Sequence, residues 1–341
     1  MENPKTELKN PLPDITFEQL SDAQKEAVQR SKWTKLMPVQ ARAIPYLLAG
    51  RDMMVQARTG SGKTGAFLLP MLERLDPKRN ECQALILVPT RELAKQVSQE
   101  ATTLCSASGL RNVAVYGGVG YGPQIEALKQ GAHIVVGTPG RVLDHLLKRT
   151  FKLDRLKMLI FDEADRMLSM GFYPDMVEMK GYLPEKPVHT SMFSATFPYS
   201  VMRAAQEFIQ EPQFITLSSD HIHVTEVEHV YYKVKGMDKD RSLVRLIEVE
   251  NPDNALIFCN TKDRVHYVTV VLQRFGYDAD EISSALSQSQ RENVLSRVRD
   301  GKLRFLVATD VAARGLDIPE RRSAPAARRT SSRSRPERLF R

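Results

Sequence analysis

Cysteine, tryptophan and long apolar runs are all scarce in this 341-residue chain. Its three cysteines, Cys82, Cys105 and Cys259, stand far apart and show no CxxC spacing. That excludes a disulfide framework and a cysteine-built zinc site, and predicts a reducing, cytoplasmic setting. No stretch approaches the ~18 apolar residues that a membrane span needs, so no membrane partner is expected. The opening MENPKTELKNPLPD is polar and proline-bearing, unlike a secretory leader. A charge excess is missing from most of the chain as well. The formal net charge is +8, yet residues 320–341 alone hold eight arginines against two glutamates, leaving 41 basic and 39 acidic side chains in the other 319. Bulk charge is therefore weak evidence of nucleic-acid binding, and local motifs have to supply it.

What is present is alternation. Short apolar runs, DMMVQA (52–57), ALILV (84–88), VAVY (113–116), HIVVG (133–137), MLIF (158–161) and TSMFSA (190–195), are separated by longer segments. One of these, RELAKQVSQEATTL, sets Leu93, Val97, Ala101 and Leu104 on one helical face. Strand, helix, strand at this spacing predicts an α/β fold with a parallel sheet covered on both faces. The pattern restarts at HVYYKV (229–234), NALIFC (254–259) and RFLVAT (304–309), which predicts a second domain of the same class. The expected organisation is a flexible N-terminus (1–13), a first domain (14–216), a polar linker (217–228), a second and partial domain (229–319) and an Arg-rich tail (320–341). The tail has no period of two or 3.6 and few large apolar residues, so it is expected to be disordered.

The segment Ala57-Arg58-Thr59-Gly60-Ser61-Gly62-Lys63-Thr64 follows the first run and fits the phosphate-loop template, with Ala in place of the first Gly. Gly60 and Gly62 allow tight turning, so that main-chain N–H groups converge on phosphate oxygens. Lys63 adds a compact positive charge and Thr64 a hydroxyl for magnesium. A helix starting near Lys63 aims its dipole at the same place. Further on, MLIFDEADRML ends a strand in Asp162-Glu163, followed by Asp165. Beside a triphosphate, Asp162 would hold magnesium through water and Glu163 would orient and deprotonate the attacking water. In isolation the same residues read as an acidic helix start favoured by the dipole.

With these motifs in place, the chain resembles the DEAD-box RNA helicases. Asp162-Glu163-Ala164-Asp165 spells that family's signature, and other motifs follow in its order: Phe17 and Gln40, the ARTGSGKT loop, Pro89-Thr90-Arg91-Glu92-Leu93-Ala94, Gly117-Gly118, Thr138-Pro139-Gly140-Arg141, Ser194-Ala195-Thr196, LIFCNTK (256–262), Gln288 with Arg291, and ATDVAARGLDIP (308–319). The likeness spans about residues 14 to 319 and implies two RecA-like parallel-sheet domains in tandem, the second apparently incomplete. It implies ATP and magnesium as cofactors. Gln40 would read adenine, Phe17 and Trp33 would flank it, Arg58 to Thr64 would hold phosphates, and Asp317 would face the nucleotide. Lys63, Asp162 and Glu163 would carry the chemistry, with Thr64 and Asp162 on the metal. Asp165, Ser194 and Thr196 would link nucleotide state to the RNA face.

The resemblance also implies RNA contacts from Thr90, Arg91, Gly118, Thr138 and Arg141 in the first domain, and from Thr261, Gln288, Arg291 and Thr309 in the second. Helix N-termini, bare glycine backbone and single arginines suit phosphate oxygens and carry no base code, so binding without sequence preference is expected. Preference for RNA over DNA would come from 2′-hydroxyl contacts. After ARGLDIP the family continues with another strand and an arginine motif, His-Arg-Ile-Gly-Arg-Thr-Gly-Arg, which residues 320–341 do not match. That motif carries a finger worth ~10³–10⁵ in rate in comparable enzymes. The tail reads either as a shifted or truncated end or as a basic RNA-binding extension. Two functions from different classes follow: an ATP-dependent RNA helicase or remodeller, and a catalytically weak ATP- and RNA-binding module. A DNA translocase or a phosphate-loop kinase is a third reading, against which the Gln40, Thr-Pro-Gly-Arg and Ser-Ala-Thr elements count.

Overall fold

The computed structural model describes residues 10–209, 212–217, 230–234, 238–283 and 285–309. The chain divides into two compact units, Met1–Val230 and Tyr231–Arg341. In the first, seven strands are described: β1 (Met53–Gln56), β2 (Ala84–Leu87), β3 (Asn112–Val115), β4 (Ile134–Gly137), β5 (Met158–Asp162), β6 (His189–Ser194) and β7 (Gln213–Thr216). They form one parallel sheet in the order β3-β4-β2-β5-β6-β1-β7. The helices are α1 (Asp22–Arg30), α2 (Pro38–Leu48), α3 (Lys63–Arg74), α4 (Arg91–Leu104), α5 (Gly122–Lys129), α6 (Pro139–Leu147), α7 (Ala164–Ser169), α8 (Tyr173–Lys180) and α9 (Tyr199–Ala205).

Strand composition explains the two-sided core. Successive residues of a strand point to opposite faces, and here both sets are apolar. Ile86, Val136, Ile160 and Phe193 pack on one face with Phe67 and Leu68 of α3 and Val97 of α4. Leu85, Val135, Phe161 and Met192 pack on the other with Val142 of α6 and Met176 of α8. Burying each such side chain contributes ~1.5–3 kcal/mol before entropy is counted. All strands being parallel, the loops that follow them gather at one edge of the sheet, where ligands bind in open α/β folds.

In the second unit, β8 (Ala255–Cys259), β9 (Ala279–Ile282) and β10 (Phe305–Thr309) form a parallel sheet in the order β8-β10-β9, with α10 (Lys239–Glu250), α11 (Lys262–Arg274) and α12 (Gln288–Arg299). Phe305 and Val307 pack under α11, while Leu306 and Ala308 pack with Val294 of α12.

Two expectations need correction. The run beginning at 229 is no strand over 230–234, because no neighbour pairs with it among the described residues and Tyr231 stands 83% exposed. Within the N-terminus expected to be flexible to residue 13, residues 10–12 are tied down. The Leu12 N–H donates to the Tyr46 hydroxyl at 2.9 Å, and the Asn10 carbonyl accepts from Arg51 at 2.7 Å. Most of the 217–228 linker, the 320–341 tail and Asp317 lie outside the described residues.

Candidate functional site

The loop after β1 turns on glycine. Gly60 (φ +77°) and Gly62 (φ +87°) both adopt the left-handed conformation that other residues rarely reach. At Gly62, a β-carbon would also press on Gln40 and Met37, whereas the space at Gly60 is open. The strand end is pinned to its neighbour, the Ala57 N–H donating to the Ser194 carbonyl at 2.9 Å. Lys63 opens α3 and is buried, its ammonium donating to the carbonyls of Ala57 and Arg58, both at 2.9 Å. Ser61 donates its hydroxyl to the same Arg58 carbonyl at 2.7 Å. Arg58 and Thr59 lie exposed on the loop, and Thr64 follows in the first turn of the helix.

Asp162 ends β5 and is buried. Burial pushes its carboxyl up to about 6; the Lys63 charge opposes this and the Glu163 charge adds to it. The Glu163 N–H donates back to Asp162 Oδ1 at 3.0 Å. Glu163 itself takes φ +56°, a left-handed conformation costly for a side-chain-bearing residue, as the N-cap of α7. Its carboxylate pairs with Arg166 at 2.8 Å. Among the described residues, no three His, Cys, Asp or Glu side chains group tightly enough to hold a metal by themselves. One hydroxyl, Thr64, and one buried carboxylate, Asp162, are a donor set suited to magnesium, which keeps several waters and leans on substrate phosphates.

Asp165 is bound on both sides. Thr196 donates its hydroxyl to Asp165 Oδ2 at 2.7 Å and its N–H to the same oxygen at 3.2 Å. Ser194 does not reach that carboxylate; its hydroxyl accepts from the Asp165 N–H at 3.2 Å. The ends of β5 and β6 are thus joined through both hydroxyl-bearing residues of the Ser-Ala-Thr segment.

Gln40, on α2, is buried and acts as a brace. It donates to the Gly62 carbonyl at 3.1 Å and accepts from the Met37 N–H at 2.8 Å. The amide group has a second donor and a second lone pair beyond these two bonds. Trp33 lies over Gly65, where any β-carbon would collide with its ring. Phe17 and Trp33 both pack partly into the first core.

Sequence reasoning missed Gly65, Arg166 and Glu100. Glu100 lies on α4, hydrogen-bonded to Thr64, and burial raises its carboxyl to about 7, with the Asp162 charge adding to the rise. Arg166 could have been found from its i+3 spacing to Glu163. Glu100 carried no local signal.

The residues expected to meet RNA follow the neighbouring strands β2, β3 and β4. Thr90 caps α4, accepting from the Leu93 N–H at 3.2 Å. Gly118 (φ +82°) lets the Arg91 guanidinium occupy the space of a β-carbon. Thr138 is the N-cap of α6, and Arg141 lies in its first turn, donating to the Val119 carbonyl at 3.0 Å. In the second unit, Thr261 caps α11 and Thr309 ends the adjacent strand β10, while Gln288 and Arg291 lie in the first turn of α12.

Within the first unit, then, the phosphate-loop, acid-pair and Ser-Ala-Thr candidates follow β1, β5 and β6, and the RNA candidates follow β2, β3 and β4 at the same sheet edge. The DEAD/DEAH box helicase family matches residues 37–204, and the helicase conserved C-terminal domain matches residues 238–323. A DEAD box protein from the hyperthermophile Methanococcus jannaschii is 36% identical, covers 90% of this chain and 84% of its own, and superposes with a TM-score of 0.58. The chain belongs to the DEAD-box family. Its two parallel sheets are accordingly RecA-like domains in tandem. Another solved structure, S. cerevisiae Dbp5 bound to RNA and ADP BeF3, is 28% identical over 88% of this chain and 76% of its own, with a TM-score of 0.77. The ATP-dependent RNA helicase DeaD of Escherichia coli (strain K12) is 45% identical over 294 residues, 86% of this chain. The DEAD-box ATP-dependent RNA helicase CshA of Bacillus licheniformis is 40% identical over 306 residues, 89% of this chain. The chain spans 47% of the former and 63% of the latter. Phe17 and Trp33 precede the matched helicase region; Gln40 lies within it.

Proposed function

We propose that this DEAD-box chain is an ATP-dependent RNA helicase or RNA–protein remodeller, with RNA bound through its backbone and without sequence preference. The cytoplasm is the compartment we assign, where the three thiols remain reduced. The observation that carries the reading is the Asp165–Thr196 bond. It ties the strand end bearing the acid pair to the strand end that pins the phosphate loop.

In this reading Lys63 exchanges its bonds to the Ala57 and Arg58 carbonyls for the terminal phosphates of ATP, and the N–H groups from Gly60 to Thr64 surround them. Magnesium would be held by the Thr64 hydroxyl and, through water, by Asp162, and would neutralise charge on the phosphates. Glu163 accepts the proton of the attacking water and is aimed by Arg166. Gln40 reads adenine with its remaining donor and acceptor. Thr90, Arg91, Gly118, Thr138 and Arg141, with Thr261, Gln288, Arg291 and Thr309, hold RNA phosphates and sugars. Asp165, Ser194 and Thr196 connect the two tasks.

The test is steady-state ATP hydrolysis with and without single-stranded RNA. RNA should stimulate the rate at least ten-fold, and Glu163→Gln should abolish turnover while nucleotide binding survives. Equal hydrolysis with and without RNA would rule the proposal out.

A further inference from the structure

The loop after β3 carries a side chain to which no role has yet been given. Tyr121 meets two cations: the Arg141 guanidinium is 4.1 Å from its ring centroid and the Lys148 ammonium 3.5 Å. Its hydroxyl donates to Asp144 Oδ2 at 2.9 Å, and that same oxygen lies 3.8 Å from Arg141 Nε. Arg141 is thus enclosed by the ring, by the Asp144 carboxylate and by the Val119 carbonyl that takes its Nη1 donor. Only 9% of its side chain is exposed. A guanidinium has a rigid fork of five donors, so fixing Nε and Nη1 fixes the direction of Nη2. The Nη2 N–H groups make no bond within the described residues. Lys148 is exposed at the end of the same helix.

We infer that Tyr121 is a positioning residue for RNA binding: its ring holds the Arg141 guanidinium so that Nη2 meets a backbone phosphate of the strand. The inference rests on the RNA reading above and adds a residue to it. Outside its last 22 residues the chain carries almost no net charge, so it cannot gather RNA by bulk attraction and depends on donors placed in advance. An arginine stacked on an aromatic ring loses little freedom on meeting phosphate, whereas an unstacked one has to be ordered first.

The experiment titrates the full chain with fluorescently labelled oligouridylate, in the presence of a non-hydrolysable ATP analogue, at several salt concentrations. The variants are Tyr121→Leu, Tyr121→Phe, Arg141→Ala and the Tyr121→Leu/Arg141→Ala double. Tyr121→Leu should weaken RNA about five-fold and flatten the salt slope by about 0.7, the value of one phosphate contact on a single strand. Tyr121→Phe keeps the ring and should bind within about two-fold of the parent. The double variant should be no weaker than Arg141→Ala alone, since both remove one contact. Adenine-nucleotide affinity reports that the first unit is folded, and Tyr121→Gln replaces Tyr121→Leu if the latter fails that check. Parent-like binding by Tyr121→Leu, or losses that multiply in the double, overturns the inference. Parent-like binding by Arg141→Ala overturns it together with the phosphate role of Arg141. RNA-stimulated hydrolysis persisting in every variant would then leave the helicase reading standing without either residue.

Discussion

Burial holds the Asp162 carboxyl up at about 6, with Lys63 pulling it down and Glu163 pushing it up, while burial lifts Glu100 to about 7. Both groups bind a proton more tightly in the folded chain than in the unfolded one. Their contribution to stability is therefore complete below the ordinary carboxylate range near 4, and it is lost as pH rises through about 6 and about 7. Asp162→Asn removes the cost of ionising one of them. The variant should exceed the parent in stability at pH 8 by on the order of 2 kcal/mol and match it near pH 4. At this domain size that is several degrees in Tm at pH 8, read by thermal unfolding across pH without nucleotide. A Tm difference that does not change with pH would contradict the assignment. The strain at Glu163 belongs to the same scale. A left-handed, side-chain-bearing residue between a strand and a helix puts two carboxylates side by side at a strand end, a placement extended backbone would not allow.

The chemistry of the site lies between elements rather than on any one of them. The β6 end supplies the carbonyl that accepts from Ala57, the hydroxyl of Ser194 and the hydroxyl of Thr196, which together fasten the phosphate loop and the start of α7. In the proposed function, these bonds would transmit movement of the acid pair on nucleotide turnover to the Ser-Ala-Thr segment. Thr196→Val removes one charge-assisted bond and leaves the phosphate loop intact. It should keep ATP affinity within about three-fold while cutting RNA-duplex separation by at least ten-fold, because a bond worth ~1.5–3 kcal/mol carries the link. Nucleotide titration alongside strand-separation rates checks this, and equal losses in both would show that Thr196 acts on the nucleotide alone. The α4 helix joins elements in the same way: its first turn carries Arg91 toward Gly118, and its third turn carries Glu100 to Thr64.

At the scale of the whole molecule, the proposed function makes ATP and RNA two ligands of one chain, and their effects on one another must then be reciprocal. If RNA tightens binding of a non-hydrolysable ATP analogue by a given factor, the analogue must tighten RNA by that same factor, expected within about 5–150-fold. Two titrations, each with the other ligand saturating and absent, measure both. A factor of one in either direction would mean that the sites are independent. The architecture was legible from the sequence at this scale because parallel strands buried on both faces read as continuous apolar runs, as ALIL at β2 does. β9 was not legible, since ADEI carries two acids and is a strand only through pairing with β10. The reverse holds for residues 230–234, whose aromatic and β-branched pattern finds no strand partner among the described residues.

The sequence by itself determined which residues the proposed ligand chemistry rests on. Two glycines, a lysine and a threonine after one strand, and an acid pair after another, suit the holding and cleaving of a phosphate chain. It determined as well that two parallel-sheet domains follow one another. Only the tertiary structure decided which partners those residues take. Glu100 meets Thr64, Trp33 forbids a β-carbon at Gly65, Gln40 braces Gly62, and Tyr121 holds Arg141. Each of these pairs is set by the order of strands in the sheet or the packing of helices upon it, and neither is recorded in residue spacing.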